Sequence, residues 1–152
     1  MIPAISFALA LFLSTALVPV GIRYASVLGL VDEPDDNRKV HSQPVPRVGG
    51  LAIVIAFFLP VFIWLNNISG LYAFLIGAGI IAIFGFLDDR HDLSYKWKFF
   101  GQIVAVAVFM AGNLEIAKTP FLGLGDVAPW ISYPVVAIFL LGVTNAVNLS
   151  DG

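Results

Sequence analysis

The stretch Leu71-Tyr-Ala-Phe-Leu-Ile-Gly-Ala-Gly-Ile-Ile-Ala-Ile-Phe-Gly-Phe-Leu87, followed at once by Asp88-Asp89-Arg90-His91-Asp92, decides the fold. The apolar run carries no charge and has polar residues on no face, so it reads as a helix whose solvent is lipid, about as long as a bilayer core requires. The two acids end it abruptly. A helix C-terminus favours cations, so adjacent carboxylates there call for a partner or a function.

Outward from this stretch the pattern repeats. Apolar segments without interior charge run from Ile2 to about Val20 or on towards Leu30, from Gly49 to about Leu65, from about Phe99 to Ala111 and from about Trp130 to Val143. The last two are short and are expected to extend by a turn or so. The whole chain of 152 residues is 59% hydrophobic and only 12% charged, against about 25% charged in an ordinary soluble domain. Its mean hydropathy is +0.94. A soluble domain of this size leaves roughly a third of its unfolded surface exposed and could not hide so much apolar area. The fold expected is all-α, a polytopic membrane helix bundle of about five spans forming a single membrane domain over 1–152. The first segment lacks a basic start and is too long for a signal-peptide core, so it reads as a retained span.

The bases fix an expected orientation. Arg23, Arg38, Lys39, Arg47, Arg90, Lys96 and Lys98 follow odd-numbered spans, and only Lys118 falls on the other side. The positive-inside rule then puts the N-terminus outside, loops 31–48 and 88–98 in the cytoplasm and loop 113–129 outside. That outer loop is rich in Gly and Pro and could form a small hairpin. The acids share the skew: Asp32, Glu33, Asp35, Asp36, Asp88, Asp89, Asp92 and Asp151 lie on the cytoplasmic side, Glu115 and Asp126 outside. Acids contribute little to topology, so either the longer loops simply carry more charge or a polar site gathers at that face.

Other classes are excluded by composition. A net charge of −2 argues against a nucleic-acid partner. There is no cysteine, hence no disulfide and no thiolate metal site, and His41 and His91 are the only histidines. Any metal would be held by carboxylates, which points to a hard cation.

Three polar segments carry candidate chemistry. In the first, Arg38, Lys39, His41 and Arg47 are suited to phosphate oxygens, while Pro34, Pro44 and Pro46 bar continuous helix; the same bases also suit a solvated loop touching anionic headgroups. In the second, a divalent cation would relieve the repulsion between Asp88 and Asp89 and hold a diphosphate, or the pair simply ends the helix beside Arg90 or Lys96. In the third, Asn145-Ala146-Val147-Asn148-Leu149-Ser150-Asp151-Gly152, a helix would space Asn145, Asn148 and Asp151 by threes, for a nucleotide or a metal-bound water, or for gluing helices together.

Together the segments resemble the polyprenyl-phosphate N-acetylhexosamine-1-phosphate transferases. Val31-Asp32-x-Pro34, Arg38-Lys39-x-His41 and Pro44-x-Pro46-x-x-Gly49-Gly50 look like the branch that uses UDP-N-acetylglucosamine. The peptidoglycan-precursor branch, the phospho-N-acetylmuramoyl-pentapeptide transferases, normally differs before its Gly-Gly pair. Gly85-x-x-Asp88-Asp89-x-x-Asp92-Leu93 resembles the paired-aspartate motif, and Asn145 to Gly152 the start of the Asn/Asp motif.

The resemblance implies transfer of an N-acetylhexosamine 1-phosphate from a UDP-sugar to a polyprenyl phosphate at the cytoplasmic face of the bacterial plasma membrane, starting cell-envelope polysaccharide synthesis. It implies Mg2+, or Mn2+, as cofactor. Asp88 and Asp89 become catalytic and metal-binding, with Asp151 a further metal ligand. Arg38, Lys39, His41, Arg47, Asn148 and Asp151 become substrate contacts. Family members are more than twice this length, so the chain looks like the N-terminal part of such an enzyme, inactive alone and prone to associate with itself or a C-terminal half. The reading from another class is a non-enzymatic transporter or assembly subunit with cation-binding acids at one face. Transporters place polar groups near mid-span, and here the span centres are apolar.

Overall fold

The computed structural model describes residues 1–32, 44–64, 70–112 and 128–151. Five helices account for nearly all of them: α1 (Ile2–Leu28), α2 (Gly49–Trp64), α3 (Leu71–His91), α4 (Tyr95–Gly112) and α5 (Pro129–Asp151). Two short strands, β1 (Val31–Asp32) and β2 (Val45–Pro46), lie between α1 and α2. The fold is an all-α membrane fold with helices where the apolar segments stand. By length and composition α1, α3 and α5 can each cross a bilayer, and α2 is a shorter apolar helix. Large apolar side chains such as Phe7, Phe12, Phe62, Ile53 and Ile138 are exposed, in a number that suits lipid-facing helices and that a soluble monomer rarely shows. The hairpin expected in 113–129 lies, but for its last two residues, outside the described residues.

The helices outrun their apolar segments for local reasons. α1 continues through Pro19, because the loss of one backbone hydrogen bond is tolerated in membrane helices. It stops at Gly29, whose φ of 69° is left-handed; the Gly29 and Leu30 amides donate back to the Ser26 and Ala25 carbonyls at 3.2 and 2.9 Å, which satisfies the last turn. α4 starts a turn before Phe99 and so includes Lys96 and Lys98, and α5 carries the Asn-rich end to Asp151.

The described chain forms two compact units, residues 1–66 with 82–94 and residues 67–81 with 95–152, so that α3 contributes its second half to the first and its first half to the second. In the first unit α1 packs on α2. Ala52, Ala56 and Pro60 are the buried residues of α2, four apart on one face, and small side chains there let helices approach closely. Ala25, Leu30 and Val48 form a buried cluster with Leu28, Val31 and Phe86 against it. β1 and β2 pair antiparallel, Val31 opposite Pro46 and Asp32 opposite Val45, and the Arg47 amide donates to the Leu30 carbonyl at 2.9 Å. The sequence reading did not anticipate this ladder inside the 31–48 loop. Pro46 has no amide to donate, and a two-residue ladder leaves no periodicity to read.

In the second unit α3 and α4 meet through glycines. A Cβ on Gly77 would lie 2.9 Å from the Ala105 carbonyl oxygen, and one on Gly112 would overlap the Ala73 methyl. Phe74 meets Phe109 edge-on with centroids 6.2 Å apart. An apolar cavity of about 160 Å³ remains, lined from α3, α4 and α5 by residues including Ile81, Phe109 and Leu140.

Candidate active site

The first unit gathers the acids of the paired-aspartate segment and one base. α3 ends as its acids begin. The Asp92 amide donates to the Asp88 carbonyl at 2.8 Å, Asp92 takes a left-handed φ of 47°, and the Leu93 amide donates to Asp88 Oδ1 at 3.0 Å. Aspartate tolerates this conformation better than most residues. One oxygen of Asp88 thus closes the turn that ends its own helix, and Asp89 lines a different surface one residue on.

That surface is a cleft of about 450 Å³ with mostly apolar walls from α2 and the end of α3, including Leu51, Val54, Ile83 and Phe86, over the buried Leu30. Its two charged lining residues are Arg47 and Asp89. Arg47 is held between two carboxylates: Nη2 lies 2.8 Å from Asp32 Oδ1, and Nη1 donates to Asp92 Oδ1 at 3.1 Å. Asp32 is 16% exposed and Asp92 83%. Burial disfavours the charged guanidinium, but hydrogen bonds to Asp92 and Asp32 and their charges outweigh it, so its pKa lies above the ordinary value. Asp92 thus takes the left-handed position that ends α3, while its carboxylate pairs with Arg47. Asp32 was not anticipated as a partner. No pattern in the sequence links it to a base fifteen residues on; the ladder that brings them together is what sequence reasoning missed.

The third segment lies in the second unit. α5 is helical through Asn145, Asn148 and Asp151, as their spacing suggested. Asn145 Nδ2 donates to Gln102 Oε1 of α4 at 2.6 Å, and Asn148 is exposed. Asp151 is described by its backbone position at the last residue of α5. Arg38, Lys39 and His41 lie outside the described residues.

Among the described residues, no three His, Asp or Glu side chains come together as a metal site. Asp88 and Asp89 offer oxygen donors alone, which fits magnesium, an ion usually held by one or two carboxylates with phosphate and water completing the shell.

Comparison with known proteins agrees with the motifs. The chain is 37% identical, over 97% of its length, to a Bacillus subtilis (strain 168) protein named "Probable undecaprenyl-phosphate N-acetylglucosaminyl 1-phosphate transferase". It is 31% identical over 91% of its length to the undecaprenyl-phosphate alpha-N-acetylglucosaminyl 1-phosphate transferase of Yersinia pestis. It is 29% identical over 97% of its length to the phospho-N-acetylmuramoyl-pentapeptide-transferase of Shouchella clausii (strain KSM-K16). It spans 42%, 39% and 50% of these relatives respectively. No solved structure matches it significantly. The family model described as glycosyl transferase family 4 matches residues 71–152, which takes in the paired aspartates and the Asn-rich end of α5; the chain belongs to that family of phosphosugar transferases.

Proposed function

We propose that this chain carries the acidic centre of an enzyme that moves N-acetylglucosamine 1-phosphate from its UDP-sugar to a polyprenyl phosphate, releasing UMP, at the cytoplasmic face of the bacterial plasma membrane. The observation that carries the reading is the pair Asp88-Asp89 at the end of an apolar helix, in a chain 37% identical to a relative named as an undecaprenyl-phosphate N-acetylglucosaminyl 1-phosphate transferase. An oxygen of the lipid phosphate attacks the sugar-proximal phosphorus, and the bond from that phosphorus to the oxygen of UMP breaks. The second pKa of a phosphate is about 6, so at neutral pH the attacking oxygen needs no base. Magnesium, when bound, would neutralise diphosphate charge at this step. The task left to the protein is to place two anions against each other at the membrane surface, and positioning with charge compensation supplies most of the rate in such transfers.

In this reading Asp88 and Asp89 serve the metal and phosphate centre, Asn148 and Asp151 the nucleotide or metal, and Arg38, Lys39, His41 and Arg47 the phosphates. The higher identity to the N-acetylglucosaminyl relative than to the pentapeptide transferase, 37% against 29%, favours UDP-N-acetylglucosamine as donor. In this reading the 152 residues, which span 42% of the Bacillus subtilis relative, do not turn over alone, and a second copy or a C-terminal half completes the site.

The test replaces the aligned segment of the Bacillus subtilis relative with residues 1–152 and measures magnesium-dependent UMP release with polyprenyl phosphate, beside the 152-residue chain by itself. Release from UDP-N-acetylglucosamine by the hybrid but not by the chain alone is the expected result. Release only from UDP-N-acetylmuramoyl-pentapeptide would move the chain to the other branch. Release from neither donor by a folded hybrid would overturn the assignment.

A further inference from the structure

Gln102 is the one amide in the apolar run from Phe99 to Ala111, and it is 8% exposed. A buried carboxamide is costly unless hydrogen-bonded, and in lipid no water stands in for a missing partner. Its partner is Asn145, whose Nδ2 lies 2.6 Å from Gln102 Oε1. The same Nδ2 donates to the Leu141 carbonyl of its own helix at 2.8 Å. That carbonyl can only accept, which fixes nitrogen as the atom Asn145 presents. Gln102 must then answer with its oxygen. Both amide hydrogens of Asn145 are thereby spent, one within α5 and one on α4, so its rotamer is pinned. Asn148 lies three residues further along α5, about 60° round the helix. The hydrogen bond at Asn145 thus lies within one helical turn of the exposed Asn148.

We propose that Gln102 is a positioning residue: through its oxygen it locks the rotation of α5 and so aims the polar end of that helix. Its effect on turnover rests on the phosphosugar-transfer reading; the hydrogen bond itself does not. Two variants separate the oxygen from the bulk of the side chain. Gln102→Leu keeps size and removes the acceptor, while Gln102→Glu keeps an acceptor oxygen in the same place.

The first readout is the side-chain amide NMR signal of Asn145 in the 152-residue chain in nanodiscs. One of its two protons should be shifted and slow to exchange in the parent and in Gln102→Glu, and ordinary in Gln102→Leu. The second is kinetics in the hybrid enzyme. Gln102→Leu should lower kcat about 10- to 100-fold, the range expected of a displacement near 1 Å, at unchanged folded fraction, and Gln102→Glu should restore most of it. Identical Asn145 signals in all three proteins would overturn the lock. Equal kcat in the leucine variant and the parent, or equal damage from glutamate and leucine, would overturn the positioning role. A folded parent hybrid without turnover would count against the transfer reading alone, and the amide signal would then decide the proposal.

Discussion

Arg47 forks between Asp32, largely buried, and Asp92, largely exposed. The two arms should differ in strength, because an exposed ion pair contributes roughly 0–1 kcal/mol whereas removing one partner of a less hydrated pair leaves a charge uncompensated. Asp92→Asn is expected to leave thermal stability in detergent nearly unchanged, and Asp32→Asn to lower it clearly. Equal effects would mean that the ladder does not depend on this pairing. The guanidinium pKa is raised, so its contribution is complete below the ordinary arginine range and is lost only as pH climbs beyond it; throughout the physiological range Arg47 stays charged. Of the candidate site, the residues named by motif were legible in the sequence: Asp88 and Asp89 stood out because acids are rare after an apolar run. The pairing of Asp32 with Arg47 and the part played by Gln102 were not. Asp32 becomes a partner only through a ladder too short to leave a pattern, and Gln102 is a single amide in a run that reads as uniformly apolar.

The helices show what hydropathy can and cannot fix. Apolar length located α1 to α5, since a bilayer demands it, but the ends are set by caps and by packing. α3 runs on through Asp88 and Asp89 to His91, and the left-handed turn at Asp92 stops it. The glycines of these helices likewise carry no signal of their role in the sequence: Gly77 inside α3 and Gly112 at the end of α4 are where the two helices meet. Gly112→Ala adds one methyl where the Ala73 methyl already sits, and overpacking of this kind costs about 1–3 kcal/mol. Its melting temperature should fall, and pairing it with Ala73→Gly should recover most of the loss. Recovery failing while Gly79→Ala, at an open position, is harmless would show that the contact is not what Gly112 protects.

Across the molecule, function depends on orientation in the membrane and on one acidic centre. The chain has no cysteine, so single introduced cysteines report topology cleanly. One at Ser42 is expected to react with membrane-impermeant reagents only after the cytoplasmic face is opened, and one at Thr119 in intact cells. The reverse would put the paired aspartates on the side that UDP-sugars do not reach. In the proposed reaction Asp88 and Asp89 serve phosphosugar transfer and do not merely end α3. Asp88 accepts the Leu93 amide, and asparagine retains a carbonyl oxygen for that bond, so an Asp→Asn change tests charge while sparing the cap. The measurement is UMP release from UDP-N-acetylglucosamine by the hybrid enzyme carrying Asp88→Asn or Asp89→Asn. Each variant should insert and fold as the parent does and lose turnover by about 10²-fold or more, the loss typical of removing a group that stabilises transition-state charge. Near-parental turnover in both would contradict the account and leave the pair as an ordinary helix terminus.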